Sequence, residues 1–202
     1  MVYRTHILTG LLTFVLCPVT PLAYADFDAG LAAYTQHYDY QRAYREFLAE
    51  AQHGHRVAQF YLGEICEGGV GRPIDYKAAF RWYRDSARQG YGPAQQRLAS
   101  LYFDGRGVTR NLTKAFEWQE KAARQGQVVA QYRLGRYYAR GLGVQKDPVR
   151  AYAWWTLAAV RGDPDAMPDR DKLAASLSDA QIEKAKALAQ AWEKSLKTVV
   201  MK

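Results

Sequence analysis

The chain has 202 residues, of which 49% are hydrophobic, 24% charged and 13% aromatic, a balance that excludes disorder over most of its length. Twenty-eight Lys and Arg against 20 Asp and Glu give a formal charge of +8, enough to raise nucleic acid or an anionic surface as partners. The two cysteines exclude a disulfide framework, and no Cys/His clustering suits a metal.

Residues 1–25 read as a secretory signal. Arg4 supplies the positive start, Ile7 to Leu16 is a short apolar run, Pro18 and Pro21 break it, and Ala23-Tyr24-Ala25 offers a small-x-small cleavage site before Asp26. The run falls short of the roughly 20 apolar residues of a membrane anchor, and no later segment qualifies. Cys17 lies between Leu16 and Pro18, outside the setting of a lipoprotein cysteine. The signal holds one basic residue and no acid, so its removal lowers the formal charge from +8 to +7. Cys66 is then the sole cysteine, expected as a small apolar core residue.

A period organises the rest of the chain. Ala58, Ala94, Ala130 and Ala166 recur every 36 residues. Leu62, Leu98 and Leu134 keep the register, as do Gly63, Ala99 and Gly135, and Cys66, Tyr102 and Tyr138. Gly69-x-Gly71, Gly105-x-Gly107 and Gly141-x-Gly143 follow, then Asp75, Asn111 and Asp147. The Ala79/Ala115/Ala151, Phe80/Phe116/Tyr152 and Trp82/Trp118/Trp154 columns lead to Gly90, Gly126 and Gly162.

The columns predict two helices per unit. Ala58, Leu62, Ile65 and Cys66 fall on one helical face. Glycines that tolerate positive φ end that helix. The Asp/Asn column stands where an N-cap accepts from the second helix, and Pro148 suits a first helical position. Small alanines let the helices approach, and the aromatic columns fill the remaining volume. No segment alternates like a strand.

In chain order, residues 26–56 form a degenerate first unit, with one helix over Phe27 to His37 and a second over Asp39 to Gly54. Units at 57–92, 93–128 and 129–164 follow. Residues 165–202 form C-terminal capping helices: one starts near Ala166, its regularity limited by Pro168, and one opens at the Ser178-x-x-Gln181 capping box and aligns Ile182, Ala185, Ala189 and Trp192. Such caps cover the apolar ends of a stack.

With Ala-Gln-x-x-Leu-Gly, Gly-x-Gly-Val, the Asp/Asn column, Ala-Phe-x-Trp and Ala-Ala-x-Gln-Gly in register, the chain resembles the Sel1-like repeat family, relatives of the tetratricopeptide repeats, over roughly Asp39 to Gln190. The first full unit departs from the pattern, with Arg72 in the column of Val108 and Val144 and Cys66 in that of Tyr102 and Tyr138. The resemblance implies an all-α, right-handed superhelical solenoid of antiparallel helix pairs that acts as a protein-binding scaffold, often in the bacterial envelope. A fold of this kind does not identify its ligand.

Chemistry-bearing motifs are lacking. There is no HExxH, GxSxG, Walker lysine loop or Ser-x-x-Lys pair, so no catalytic residue, cofactor or metal is expected. His53-Gly54-His55 reads as a turn between units, and the tryptophans, at one repeat position, read as packing. Asn111-Leu112-Thr113 fits a glycosylation acceptor, but Asn111 stands in the capping column. The basic residues are spread through every unit among acids, the pattern of a solvated helical surface; nucleic acid is not expected.

In tetratricopeptide-like solenoids the first helices line a concave face. Carried over on that resemblance, the groove would be lined by Phe60, Glu64 and Glu67, then Gln96, Ser100, Phe103 and Asp104, then Tyr132, Arg136 and Arg140. These positions differ between units and run from acidic to basic along the axis. The expected partner is another envelope protein or a peptide segment, the alternative is an envelope polysaccharide- or peptidoglycan-associated factor that binds cell-wall glycan and assists cell-wall processing, and the expected location is the periplasm or the exterior.

Overall fold

The computed structural model describes residues 26–200, with side chains through Leu196; the expected signal segment lies outside the described residues. Ten helices fill that span and no strand occurs among the described residues. They are α1 (Phe27–Thr35), α2 (Tyr40–Gln52), α3 (Arg56–Gly68), α4 (Tyr76–Arg88), α5 (Gly92–Asp104), α6 (Leu112–Arg124), α7 (Val128–Arg140), α8 (Pro148–Val160), α9 (Ala166–Ala174) and α10 (Asp179–Val200). Each helix packs on the next as far as α9, and α10 turns back along α8. The expected all-α solenoid of helix pairs is therefore what forms. First helices α3, α5 and α7 begin at Arg56, Gly92 and Val128, one residue ahead of the units read from the sequence.

The repeated residues repeat the same local solution. Asp39, Asp75, Asn111 and Asp147 each cap a second helix, accepting from the backbone N–H three residues on at 2.9–3.0 Å. The N–H of three of these caps also closes the turn behind it, Asp75 onto Cys66 O at 2.9 Å, Asn111 onto Tyr102 O at 2.8 Å and Asp147 onto Tyr138 O at 2.9 Å. The two glycines of each turn do separate work. Gly69, Gly105 and Gly141 end the first helices in the left-handed region. At Gly107 and Gly143 a Cβ would run into the backbone of Tyr76 and Leu112, the first residues of the preceding unit's second helix. The second glycine thus lets neighbouring units sit backbone against backbone.

Packing follows the columns. Ala58, Ala94, Ala130 and Ala166 are fully buried, as are Leu62, Leu98 and Leu134. Across unit boundaries Phe80 meets Tyr102 edge-on at 5.4 Å and Phe116 meets Tyr138 the same way at 5.4 Å. At the first boundary the corresponding positions are Tyr44 and Cys66, and the Arg72 guanidinium lies 4.2 Å over the Tyr44 ring. Both sequence departures of that unit thus fall at this junction with the degenerate cap. Cys66 is buried and free, and burial raises its thiol pKa, which keeps it in the unreactive protonated form.

The ends are closed with aromatic and alanine contacts. Phe47 of α2 stacks on Tyr61 at 5.0 Å. At the other end Trp192 of α10 stacks on Trp154 at 4.3 Å, and Ala185 and Ala189 join Tyr152 and Ala153. The capping box at Ser178 forms, with Ser178 N donating to Gln181 Oε1 at 2.9 Å. Pro168 does not disturb α9, because it stands in the first turn, where its missing N–H has no helical partner.

Candidate partner-binding groove

One face of the stack is built by α3, α5, α7 and α9 side by side, tied by bonds that cross from helix to helix. Arg97 Nη2 of α5 meets Glu64 Oε1 of α3 at 2.7 Å. Arg133 Nη1 of α7 donates to Ser100 Oγ of α5 at 2.9 Å. Tyr132 OH of α7 donates to Asp169 Oδ2 of α9 at 2.9 Å. The first two bonds span the same 33 residues, one period less one helical turn, so neighbouring first helices are offset by that turn.

The second helices supply the floor through one column with a different residue in each unit: Tyr83, Gln119 and Trp155, all buried. The small column opposite them tracks their bulk. A Cβ on Gly63 would enter the Tyr83 ring and one on Gly135 the Trp155 ring, while the middle unit carries Ala99 and Gln119 in these two columns. Tyr83 OH donates to Glu67 Oε2 at 2.8 Å, and burial, reinforced by that carboxylate, raises its pKa. Trp155 Nε1 donates to Tyr132 O at 3.1 Å. Gln119 Nε2 donates to Ala130 O at 3.2 Å.

The sequence-derived groove residues fall into three environments. Phe60 is half-buried among the rings of Tyr61, Tyr83 and Tyr91, at 5.3–5.8 Å. Glu64 and Glu67 both face Arg97, at 2.7 and 3.9 Å, so the acidic end of the expected gradient is paired within the chain. Ser100, Phe103, Asp104 and Arg136 come together around a cavity of about 240 Å³ between α5, α6 and α7. Gln96 borders this region through its carbonyl, which accepts from Ser100 Oγ at 3.2 Å. Tyr132 is engaged with Asp169, and Arg140 is exposed in the last turn of α7.

The same cavity is lined by Gln119, Arg133, Tyr137 and Leu142, which sequence reasoning missed. Arg97 and Arg133 could have been found by asking which residues of one unit stand 33 positions after a groove residue of the previous unit. Tyr137 sits 5.9 Å from Phe103, ring to ring, and burial raises its pKa to about 12. Asp104 lies 3.6 Å from Arg106. His53 and His55 are not brought together with carboxylates; His55 instead packs edge-on against Phe27 at 4.6 Å. Among the described residues no group of three or more His, Cys, Asp or Glu could hold a metal, and no helix is long and apolar enough to cross a membrane.

A stack of two-helix units with an aligned face of first helices is an α-solenoid of the repeat-protein class. The chain belongs to the Sel1 repeat family, whose model matches residues 56–91, 92–127 and 128–163. Among solved structures it is similar to a Sel1 repeat protein from Oxalobacter formigenes, at 39% identity and a TM-score of 0.59 over 63% of this chain and 96% of that one. It is also similar to c5321, described as a protective antigen of uropathogenic Escherichia coli strains displaying an SLR fold, at 23% identity and a TM-score of 0.59. That match covers 87% of this chain and 47% of the other, and it shows the fold alone. No curated protein matches the sequence. Sel1 repeat proteins are generally non-catalytic scaffolds of a kind typical of protein–protein interaction.

Proposed function

We propose that this protein is an exported scaffold of the bacterial envelope that captures another protein through the face formed by α3, α5 and α7, without catalysis of its own. The observation that carries the reading is the contrast between columns. The alanine and leucine columns between helices keep one residue type, as the fully buried Ala58, Ala94 and Ala130 and Leu62, Leu98 and Leu134 do. Positions on the first-helix face change in every unit, from Phe60 to Gln96 to Tyr132 and from Glu64 to Ser100 to Arg136. Variation of that kind along an aligned face suits recognition of a particular segment. Export rests on the signal pattern at 1–25.

Affinity capture from an envelope extract, comparing the wild type with Phe103→Ala/Arg136→Glu, tests the proposal. The double variant is expected to keep its helical circular dichroism and to lose the captured protein identified by mass spectrometry. Undiminished capture by the folded variant would contradict the groove assignment, and retention of purified glycan with no protein captured would contradict a protein partner.

A further inference from the structure

The arginine column of the first helices is treated differently in successive units. In α5, Arg97 receives its counter-charge from within the chain, from Glu64 at 2.7 Å and Glu67 at 3.9 Å. In α7, Arg133 holds the same position, but the residues one unit back are Ser100 and Phe103. Its guanidinium therefore meets a neutral hydroxyl, Ser100 Oγ at 2.9 Å, where Arg97 meets a carboxylate. The cavity of about 240 Å³ opens beside this pair, lined by Ser100, Phe103 and Arg133. Arg136, in the column of Glu64 and Ser100, brings a second guanidinium to it. Neither Arg133 nor Arg136 has a carboxylate within ion-pair distance among the described residues. Asp104 is the single acid of the lining, and it lies beside Arg106, so the lining carries a positive excess.

We propose that this cavity is a carboxylate subsite that takes an aspartate or glutamate side chain of an extended peptide segment, with an apolar neighbour of that residue seated against Phe103 and Tyr137. The incoming carboxylate occupies the place that Glu64 occupies one unit earlier. Two guanidinium groups that converge on one pocket suit a carboxylate, whose paired oxygens match their planar donors. The adjoining rings, 5.9 Å apart, supply an apolar contact for the side chain next to that carboxylate in a peptide. The inference rests on the protein-capture reading above and names the chemistry of its central anchor.

Selection of a random displayed peptide library on the full chain tests it. The expected result is enrichment of Asp or Glu next to an aromatic or aliphatic residue. Selected peptides, synthesised and labelled, should lose about tenfold or more in affinity on Arg133→Gln/Arg136→Gln. They should lose as much on Ser100→Glu, which supplies the internal carboxylate and leaves Arg133 in place. Both variants are checked for wild-type circular dichroism. Peptides that need Phe103 but show no acidic enrichment and no response to the arginine or Ser100 substitutions would overturn the carboxylate subsite and leave the groove reading intact. Selected peptides unaffected by Phe103→Ala as well, or no selected peptide at all, would overturn both. Binding of a polygalacturonate fragment lost on Arg133→Gln/Arg136→Gln, with no peptide selected, would assign the subsite to glycan and overturn the peptide proposal.

Discussion

At the scale of single residues, size is traded across the interior between α3 and α4, α5 and α6, and α7 and α8. Inside a helix, alanine ordinarily gains roughly 1 kcal/mol over glycine, but at Gly63 and Gly135 the new methyl would enter the Tyr83 and Trp155 rings. Overpacking of that kind costs about 1–3 kcal/mol, so Gly63→Ala and Gly135→Ala should each lower the urea midpoint. The middle unit shows the compensation, with Ala99 accompanied by Gln119 rather than a ring. Adding Tyr83→Gln to Gly63→Ala should therefore recover part of the loss. A Gly63→Ala midpoint equal to or above the wild type would show that the ring contact does not constrain the helix. Burial also sets an alkaline limit. Tyr34 and Tyr137 have pKa values raised from 10.0 to about 12, first by desolvation, so the folded state holds protons that the unfolded chain releases. Their contribution is complete below pH 10 and is lost as pH rises through about 12. The urea midpoint should fall across that window, and Tyr137→Phe should flatten the fall.

At the scale of helices, the units are joined by a buried glutamine ladder. Gln59, Gln95 and Gln131 are buried, and each donates to a carbonyl of the preceding second helix, Ala51, Ala87 and Ala123, at 3.1–3.2 Å. The side-chain oxygens of the first two accept in turn from Gln89 and Gln125 at 2.7 and 2.9 Å. In the third unit Arg161 stands in that position and reaches Gly126 O at 3.4 Å, leaving Gln131 Oε1 buried without a partner. Restoring the donor with Arg161→Gln should stabilise the protein by about 1 kcal/mol, read as a higher urea midpoint; an unchanged or lower midpoint would show that the ladder contributes nothing there. The ladder marks the limit of what the sequence discloses. Alanine, glycine and Asp/Asn columns are legible because each unit imposes the same steric and capping demand on them. The glutamine of Ala-Gln-x-x-Leu-Gly is equally periodic, but a polar side chain reads as surface until the neighbouring unit is placed over it. The groove was legible to the same depth. The varying columns mark its face, whereas the Arg97–Glu64 pair and the cavity beside Arg133 depend on the offset between adjacent first helices and on Gln119, which comes from a second helix.

At the scale of the whole molecule, the interior is a chain of consecutive clusters, the first around Phe47 and Leu62, the next around Tyr83 and Leu98, the next around Leu134 and Trp154. Stability of such an array is set by each unit and its neighbours, so damage should stay local. Truncation before Asp179 removes α10 and uncovers Trp154, and hydrogen exchange should then report lost protection in α7 and α8 with little change in α3 and α4. Uniform loss along the chain would mean that the array unfolds as one unit. The same linearity lets the first-helix face vary from unit to unit without disturbing the packing behind it, and that freedom is what the proposed binding function uses. Site-specific photo-crosslinking in the native host tests the claim most directly, with the photoreactive residue placed in turn at Gln96 on α5 and at Glu117, exposed on second helix α6. The account predicts a protein adduct from Gln96 that disappears with Arg133→Gln/Arg136→Gln, and none from Glu117. An adduct formed at Glu117 and absent at Gln96 would contradict it.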